Sequence, residues 1–510
     1  MGRQPSAALL GACAAGLSLA AMVLLRAATG LPALNEVVGD ALVLFIPGRL
    51  FGTLIDAFQE RGRPLLLLGT SLAILVVGAL LGRALAAWSW PRARRQPATP
   101  ARRRGHPLGR WLLPGLGLWV LTLPLVAVGE GGVLRSATWS TLLDWLILTG
   151  VLELLLGLPL RQAVRPAPLD PGEPGLRTRR RFLAQSGAAL GAATIGYLGW
   201  EVLSAAAPPV AGAGALPSGR LPGEITPTSD FYIVSKDLFG PPQVDPASWR
   251  LRVEGRRPFT LSYSDLLAEP HLTRVQTLEC ISNPVGGTLI SNGIWRGVQL
   301  SRLLQRAGMP GDTVGIVFGC ADGYTESLPL AQAVAPTTLL ADHLNGHPLR
   351  ADHGFPARIL VVDHYGMKNP KWLTSMAPTS QPYYGYWEQQ GWDAGAYPRI
   401  FSRFDFPAAN TALASGHRYL LTGVAYAGTR GISAVEVSLD GTRHWAQARL
   451  APPASPYTWT RWSYSWTPAG GYYTLAVRAR DGRGTYQQSG LTSTFPSGAS
   501  AYQVLTVIAR

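Results

Sequence analysis

Cys280 is the residue whose sequence context most clearly indicates a chemical function. A basic group follows it at fixed spacing, made of His353, Arg358, Lys368 and Lys371. A thiolate is a soft metal ligand, and cationic side chains grouped in this way bind phosphate. Together they indicate a metal that is held through a phosphorylated organic cofactor.

The cysteine usage narrows the kind of metal. The chain has 3 cysteines, Cys13, Cys280 and Cys320, and none belongs to a C-x-x-C motif or a Cys/His cluster. A lone cysteine is more often a small buried hydrophobe than a ligand. Zinc fingers, iron-sulfur clusters and attached c-type haem have no ligand set here. A metal at Cys280 must therefore bring most of its own ligands, as molybdenum on a pterin dithiolene does.

The lysines point to the same kind of cofactor. Of the 45 basic Lys and Arg residues, three are lysines, and two of these, Lys368 and Lys371, lie beside Gly366 and Trp372. A chain so rich in arginine is expected to keep lysine where a compact charge is needed, for example on a phosphate oxygen. A basic surface turn is the alternative interpretation.

Several motifs in a fixed order resemble those of the sulfite-oxidase-like molybdopterin-dependent oxidoreductases, over roughly residues 220 to 405. They are Asp230-Phe231-Tyr232, the Cys280 loop with Asn283, Trp295-Arg296-Gly297-Val298-Gln299-Leu300, Asp322-Gly323-Tyr324, and the block from His353 to Trp372. An ordered set of motifs is much more specific than any one of them.

The resemblance implies a cofactor, molybdenum-molybdopterin, and a site. Cys280 would be the equatorial thiolate on molybdenum and the catalytic residue. The contacts to the pterin and its phosphate would come from Tyr232, Ser235, Lys236, Asn283, Asp322, His353, Arg358, Gly366, Met367 and Lys368.

The chain departs from the family near the open molybdenum position. Sulfite oxidases place arginines there, whereas this chain has Pro284-Val285 and Val234-Ser235. A dianion such as sulfite needs a cationic pocket to offset its desolvation. The sequence therefore favours a neutral or weakly charged oxo donor or acceptor over sulfite.

Hydropathy divides the chain near residue 205. Five long apolar runs precede that point and predict transmembrane helices: Ala7 to Leu25, Leu65 to Trp88, Trp111 to Val128, Trp139 to Leu160, and Leu183 to Leu203. The loops 83–110 and 161–181 hold most of the net charge of +15. This charge excess predicts that both loops are cytoplasmic and that everything after the fifth span is extracytoplasmic. The predicted localisation is therefore the cell membrane, multi-pass.

One charge cluster allows two interpretations. Arg179-Arg180, followed by an apolar Gly/Ala-rich run, resembles a twin-arginine export signal. An ordinary stop-transfer cluster has the same charge. Molybdopterin is inserted in the cytoplasm, so the catalytic domain should fold there and be exported with its cofactor. This requirement favours the export signal over the stop-transfer cluster.

The predicted fold is multi-domain. An α-helical transmembrane anchor occupies residues 1–205 and an Ala/Gly/Pro/Ser-rich linker residues 206–220. An α+β sulfite-oxidase-like molybdopterin domain spans 221–405, with a helix predicted at Leu300 to Ala307 and a strand at Ile359 to Val362. Residues 406–510 predict an all-β immunoglobulin-like sandwich, from β-rich runs at Tyr419 to Ala427, Ala434 to Leu439, Thr460 to Trp466 and Tyr472 to Arg480.

The chain is expected to depend on partners. All 8 histidines lie outside the predicted spans, so paired haem ligands inside the membrane are not predicted. A small-molecule oxo donor or acceptor and a separate electron-transfer protein or quinone-linked membrane partner are expected. The C-terminal domain mediates dimerisation in several members of the family, which makes a homodimer a further expectation. Nucleic acid is not expected, because the basic charge is explained by topology.

Two other classes remain open. One is a catalytically inactive module that keeps the molybdopterin fold for binding; the intact Cys280, His353, Arg358 and Lys368 argue against it. The other is a membrane sensor or transporter. Few acidic residues lie in the predicted spans, so a substrate pathway has little support.

Overall fold

The computed structural model describes residues 220–236 and 241–510, the helical residues 69–80, and single helical positions at 12, 15, 16, 18, 19, 22 and 83. By contacts between Cα atoms the chain divides into two units. One comprises Met1–Phe45, Glu60–Ala207 and Asp237–Phe239, and the other comprises Ile46–Gln59, Pro208–Lys236 and Gly240–Arg510.

The predicted multi-pass membrane localisation is contradicted by the structure. No helix in the described part of the chain is both long and apolar enough to cross a membrane. The prediction of a multi-pass membrane localisation with an extracytoplasmic catalytic domain is therefore wrong. The predicted spans over 111–128, 139–160 and 183–203, and the Arg179-Arg180 signal, lie outside the described residues.

The described residues of the second unit include a mixed α and β region. Its strands are β1 (Arg250–Val253), β2 (Phe259–Ser262), β3 (His271–Glu279), β4 (Ile290–Gln299), β5 (Gly315–Cys320), β6 (Thr325–Pro329), β7 (Leu339–Leu344), β8 (His347–Pro348), β9 (Arg358–Leu360) and β10 (Leu373–Thr379). Its helices are α1 (Tyr263–Ala268), α2 (Leu300–Ala307), α3 (Leu330–Ala333) and α4 (Tyr386–Gln389). Short 3-10 turns cover Ala351–His353 and Gly366–Lys368.

These strands form two sheets. One has the order β2-β1-β10-β5-β6, and the other has the order β3-β4-β7-β8 with β9 paired to β7. Helix α2 illustrates how the core forms: Leu300, Leu303, Leu304 and Ala307 recur at helical spacing and are buried. The helix ends at Gly308, whose φ of 69° suits a residue without a β-carbon. The helix predicted for this segment is confirmed.

Most of the predicted site residues lie in the loops and turns that connect the strands of these two sheets. Strands β3 and β4 pair antiparallel up to Glu279 and Ile290, and Cys280 opens the loop between them. Strand β5 turns into β6 through Asp322, and β9 leads into the turn of Gly366–Lys368. Functional side chains often lie on loops, because loop residues do not pair with neighbouring strands. The strands determine where each loop begins and ends.

The remaining strands form two facing sheets. They are β11 (Phe401–Phe406), β12 (Ala412–Leu413), β13 (Tyr419–Tyr426), β14 (Ile432–Ser438), β15 (Ala446–Gln447), β16 (Arg449–Leu450), β17 (Thr460–Trp466), β18 (Gly471–Asp481) and β19 (Gln503–Ala509). The sheet orders are β11-β13-β17-β16 and β12-β19-β18-β14-β15. Phe404, Leu421 and Trp462 from one sheet share a buried core with Val435 and Leu475 from the other. The predicted strands are found close to their expected bounds, while the immunoglobulin-like class and the boundary at residue 406 stay predictions.

Candidate active site

Cys280 is held by the loop it opens. Its backbone N–H donates to the carbonyl of Leu289 at 2.9 Å, which closes the loop. The thiol Sγ lies 3.0 Å from Ser282 Oγ, and the residue is 8% exposed. Burial raises the pKa of this thiol, and the ammonium of Lys371 opposes the shift. A thiolate here is therefore stable when a cation such as a metal lies beside it.

Asn283 braces the same loop. Its Oδ1 accepts from the Leu289 N–H at 3.0 Å, and its Nδ2 donates to Glu279 Oε1 at 3.0 Å. Burial raises the pKa of Glu279 to about 8, although Asn283 and Arg403 lower it. The amide of Asn283, predicted as a cofactor contact, thus has a role in shaping the loop around Cys280.

Tyr232 and Gly366 face each other beside Cys280. A β-carbon built at Gly366 would lie 2.7 Å from Tyr232 Oη and 3.5 Å from the Glu279 carbonyl. The backbone N–H of Tyr232 donates to Ser291 Oγ at 3.0 Å, which ties this segment to β4. Burial raises the pKa of the Tyr232 phenol, as does the proximity of Cys280. The phenol is therefore a neutral hydrogen-bond donor at the site.

His353 is buried and neutral at physiological pH. Burial lowers its pKa to about 4, even though Asp352 acts in the opposite direction. Its Nε2 donates to the carbonyl of Thr228 at 3.3 Å, since a carbonyl can only accept. Nδ1 of this tautomer is then an acceptor. The ring of Phe231 meets that of His353 edge-on at 5.5 Å between centroids.

Arg358 is a buried cation held by neutral groups. Its Nη1 donates to the carbonyl of His353 at 3.2 Å and its Nη2 to that of Asn369 at 2.8 Å. Within the described part of the chain, Nε has no hydrogen-bond partner. Burial lowers the pKa of Arg358 to about 10, so it remains charged at neutral pH. Carbonyl oxygens do not cancel the charge of a guanidinium, and an anionic group would.

Lys368 has partners that the sequence did not reveal. Its ammonium donates to Glu326 Oε1 at 2.9 Å, to Glu388, and to the Ser327 carbonyl at 3.3 Å. Burial lowers the pKa of Lys368, but the two carboxylates outweigh that effect and the net shift is upward. This side chain, predicted as a phosphate contact, lies in a buried ion-pair cluster.

The other predicted residues lie in the surrounding loops. Asp322 Oδ1 accepts from the Tyr324 N–H at 3.0 Å and so closes the turn between β5 and β6. The Met367 carbonyl accepts from Tyr324 Oη at 2.9 Å. Lys236 Nζ lies 5.7 Å from the centroid of the Tyr386 ring, and Ser235 directly precedes it.

Sequence reasoning missed the carboxylates around Lys368. Glu326 and Leu328 are two residues apart in β6, and both lie on its buried face. A charged residue on the apolar face of a strand is a signal for a buried partner, and the lysine was that partner. Glu388 and Arg403 had no such signal, because each meets its partner only after folding.

Comparisons with known proteins match the part of the chain that carries these residues. The model of the oxidoreductase molybdopterin binding domain matches residues 239–387. Sulfite oxidase of Gallus gallus is 31% identical over 290 residues, which cover 47% of this chain and 62% of that protein. The uncharacterized oxidoreductase YuiH of Bacillus subtilis is 31% identical over 190 residues, which cover 37% of this chain and 93% of that protein.

A solved structure shows the same fold. The sulfane dehydrogenase SoxCD of Paracoccus pantotrophus matches with a TM-score of 0.50 at 24% identity, and the match covers 55% of this chain and 80% of that chain. The chain belongs to the family of molybdopterin-binding oxidoreductases to which sulfite oxidase is related. It is a molybdopterin-dependent oxidoreductase whose cofactor is molybdenum-molybdopterin, and the predicted family is confirmed.

The described residues fit such a cofactor. No group of three or more His, Cys, Asp or Glu in the described part of the chain is arranged to hold a metal ion. Molybdenum bound to a pterin brings sulfur and oxo ligands and needs few from the protein. The unpaired Nε of buried Arg358 suits an anion, and the absence of a side chain at Gly366 lets Tyr232 Oη approach the backbone of this turn closely.

Proposed function

We propose that the protein transfers an oxygen atom to or from a small neutral or weakly charged substrate at Cys280, and exchanges electrons with a separate redox partner. The observation that carries the proposal is the grouping of a buried thiol with Tyr232, Arg358 and the Gly366 backbone, each from a different segment of the chain. Residues 406–510, which form all of the sandwich after β11, are the proposed dimerisation domain.

The residues would share the work of holding the cofactor. The Cys280 thiolate would bind the metal, and Arg358 would pair with the phosphate through its charge and its free Nε. His353 Nδ1 would accept a hydrogen bond from a pterin N–H, because the neutral ring presents a lone pair there. Tyr232 Oη, which packs closely against Gly366, would donate a hydrogen bond to the cofactor. Lys368 would act on the cofactor through the backbone of its turn, since its ammonium already binds two carboxylates.

When bound, the cofactor supplies two-electron oxo-transfer chemistry. A substrate XO that gives up its oxygen consumes two electrons and two protons and yields X and water, and the reverse reaction releases them. Balance therefore requires a partner that donates or accepts these electrons. A separate electron-transfer protein is the proposed partner.

The charge of the site favours a substrate with little charge. Pro284, Val285 and Val234 occupy the places where sulfite oxidases carry arginine. The nearby Lys371 ammonium donates to the carbonyls of Val234 and Asp352 at 3.1 Å and 3.0 Å. One lysine shared in this way offsets the desolvation of a dianion less well than a group of arginines does.

The test is a cofactor analysis followed by a substrate screen. The purified protein should contain molybdenum and release the pterin on oxidation. Turnover should be seen with dimethyl sulfoxide or trimethylamine N-oxide and a reduced viologen dye, and it should exceed turnover of sulfite with ferricyanide. Faster sulfite turnover would refute the substrate class, and a loaded protein without turnover of any of these would refute the proposed activity.

A further inference from the structure

The first strand of the sandwich presents two different faces. Along β11, Phe404 and Phe406 point into the sandwich core. Because side chains of a strand alternate between faces, Phe401, Arg403 and Asp405 point the other way. Phe401 packs there in an apolar cluster with Ile290, the first residue of β4. This outer face of β11 therefore lies against the strand that follows the Cys280 loop.

Arg403 extends from the same outer face to the loop itself. Its Nη1 donates to the carbonyl of Gly287 at 2.8 Å, and its Nε pairs with Asp405 Oδ1 at 2.8 Å. Arg403 is 5% exposed. Holding a guanidinium in so buried a place requires specific partners, and one of them is the backbone of the loop that carries Cys280.

Gln503 holds the residue before Gly287. A β-carbon built at Gly286 would lie 2.6 Å from Gln503 Cδ, so this side chain packs directly on the loop backbone. Gln503 is itself fixed, because its Oε1 accepts from the Phe404 N–H at 2.6 Å. Two side chains of the sandwich thus contact two consecutive glycines of the loop.

Backbone hydrogen bonds within the loop connect Gly287 to Cys280. The N–H of Gly287 donates to the carbonyl of Pro284 at 2.8 Å, and the N–H of Asn283 donates to the carbonyl of Cys280 at 3.0 Å. Each link of this chain of hydrogen bonds sets the position of the next backbone segment. A shift at Gly287 therefore moves the peptide next to the thiol.

We propose that Arg403 is a positioning residue: from the sandwich it clamps the Cys280 loop in the geometry that receives the molybdenum cofactor. Its functional consequence depends on the proposed role of Cys280. The clamp itself is a property of the protein chain and can be tested without cofactor. The sandwich is then part of the site as well as a candidate surface for dimerisation.

The test uses a pair of substitutions that spares the fold. Arg403→Met with Asp405→Asn removes the clamp and leaves no lone buried charge, a change that is often tolerated in protein cores. Arg478→Met with Glu436→Gln is the matched control, because this ion pair also lies on the sandwich, with Nε to Oε2 at 2.6 Å. Arg403→Lys is the second variant, since a lysine keeps the charge next to Asp405 but cannot bond Asp405 and Gly287 in the same fork geometry.

Hydrogen exchange of residues 280–289 in the cofactor-free protein is the first measurement. We expect exchange to rise about fivefold in both Arg403 variants and to stay unchanged in the control at the same thermal midpoint. Molybdenum content per chain should fall at least about twofold, with an altered Mo(V) resonance in the fraction that is loaded. Unchanged exchange in the loop, or an equal rise in the control, would overturn the proposal. Neither result depends on whether Cys280 binds the metal, which Cys280→Ser tests separately.

Discussion

The guanidinium of Arg358 donates to the main-chain carbonyl of His353 at 3.2 Å. This bond joins the start of β9 to the turn of Ala351–His353, so the buried cation and the neutral imidazole are set in one rigid piece. An anion and a hydrogen-bond donor on the same ligand would find both groups already oriented. Preorganisation of this kind lowers the ordering cost of binding.

Replacing Cys280 by serine should abolish turnover while leaving the fold intact. A hydroxyl is a poor substitute for a thiolate on a soft metal site. We expect dye-linked activity to fall at least about a hundredfold, with a change of thermal midpoint of only a few degrees. Cys320→Ala is the matched control, because Cys320 is also a buried cysteine that forms no disulfide, but its side chain belongs to the apolar core. Activity near that of the parent protein in Cys280→Ser would exclude Cys280 as a ligand.

Replacing Arg358 by methionine should lower pterin occupancy. A charge-assisted contact to phosphate is worth about 1.5 to 3 kcal/mol, which corresponds to a tenfold or larger loss of affinity. The fluorescence of released, oxidised pterin measures the occupancy. Arg274→Met is the control, since Arg274 is half-buried and also donates to a backbone carbonyl, that of Thr337. Equal pterin content in the two variants would show that Arg358 stabilises the fold and does not bind the cofactor.

Glu326 should make the protein less stable as pH rises. Burial raises the pKa of its carboxyl to about 7 from the reference value of 4.5. Between these values the folded protein keeps a proton that the unfolded chain has lost, so this group's contribution to stability decreases with increasing pH. Thermal midpoints measured from pH 5 to pH 8 should fall less steeply in Glu326→Gln than in the parent protein. Parallel curves would contradict the raised pKa.

Asp342 should be needed for stability and not for chemistry. It is fully buried and accepts from His271 Nε2 at 2.8 Å, from Arg296 Nη2 at 3.1 Å and from His343 Nδ1 at 2.9 Å. Asp342→Asn removes the charge that holds these three groups, and we expect a loss of about 3 kcal/mol in urea unfolding. Asp312→Asn, at an exposed position, should cost less than about 0.5 kcal/mol. Molybdenum content per folded molecule should be the same in both.

Much of the local structure followed from the sequence. The apolar spacing of Leu300 to Ala307 predicted a helix, and the β-rich run from Thr460 to Trp466 predicted a strand with those bounds. Both depend on periodicity within a short segment, which the chain carries by itself. The order of motifs around Cys280 also predicted the family, because family motifs are sequence patterns.

Hydropathy alone led to a wrong prediction of the localisation. Apolar runs and arginine-rich loops predicted a multi-pass membrane protein, yet no helix in the described part of the chain can span a bilayer. Apolar composition indicates burial in some environment, and a bilayer is one of several. Hydropathy alone does not distinguish between these environments.

Tertiary structure decided the partners of the charged groups at the site. Lys368 and Glu388 lie 20 residues apart, and Arg403 and Gly287 lie 116 residues apart. No sequence period connects such positions, because the sheets and the sandwich bring them together. The sequence determined which residues could bind a molybdenum cofactor. Folding determined that the ammonium of Lys368 pairs with carboxylates and that the C-terminal sandwich reaches the loop of Cys280.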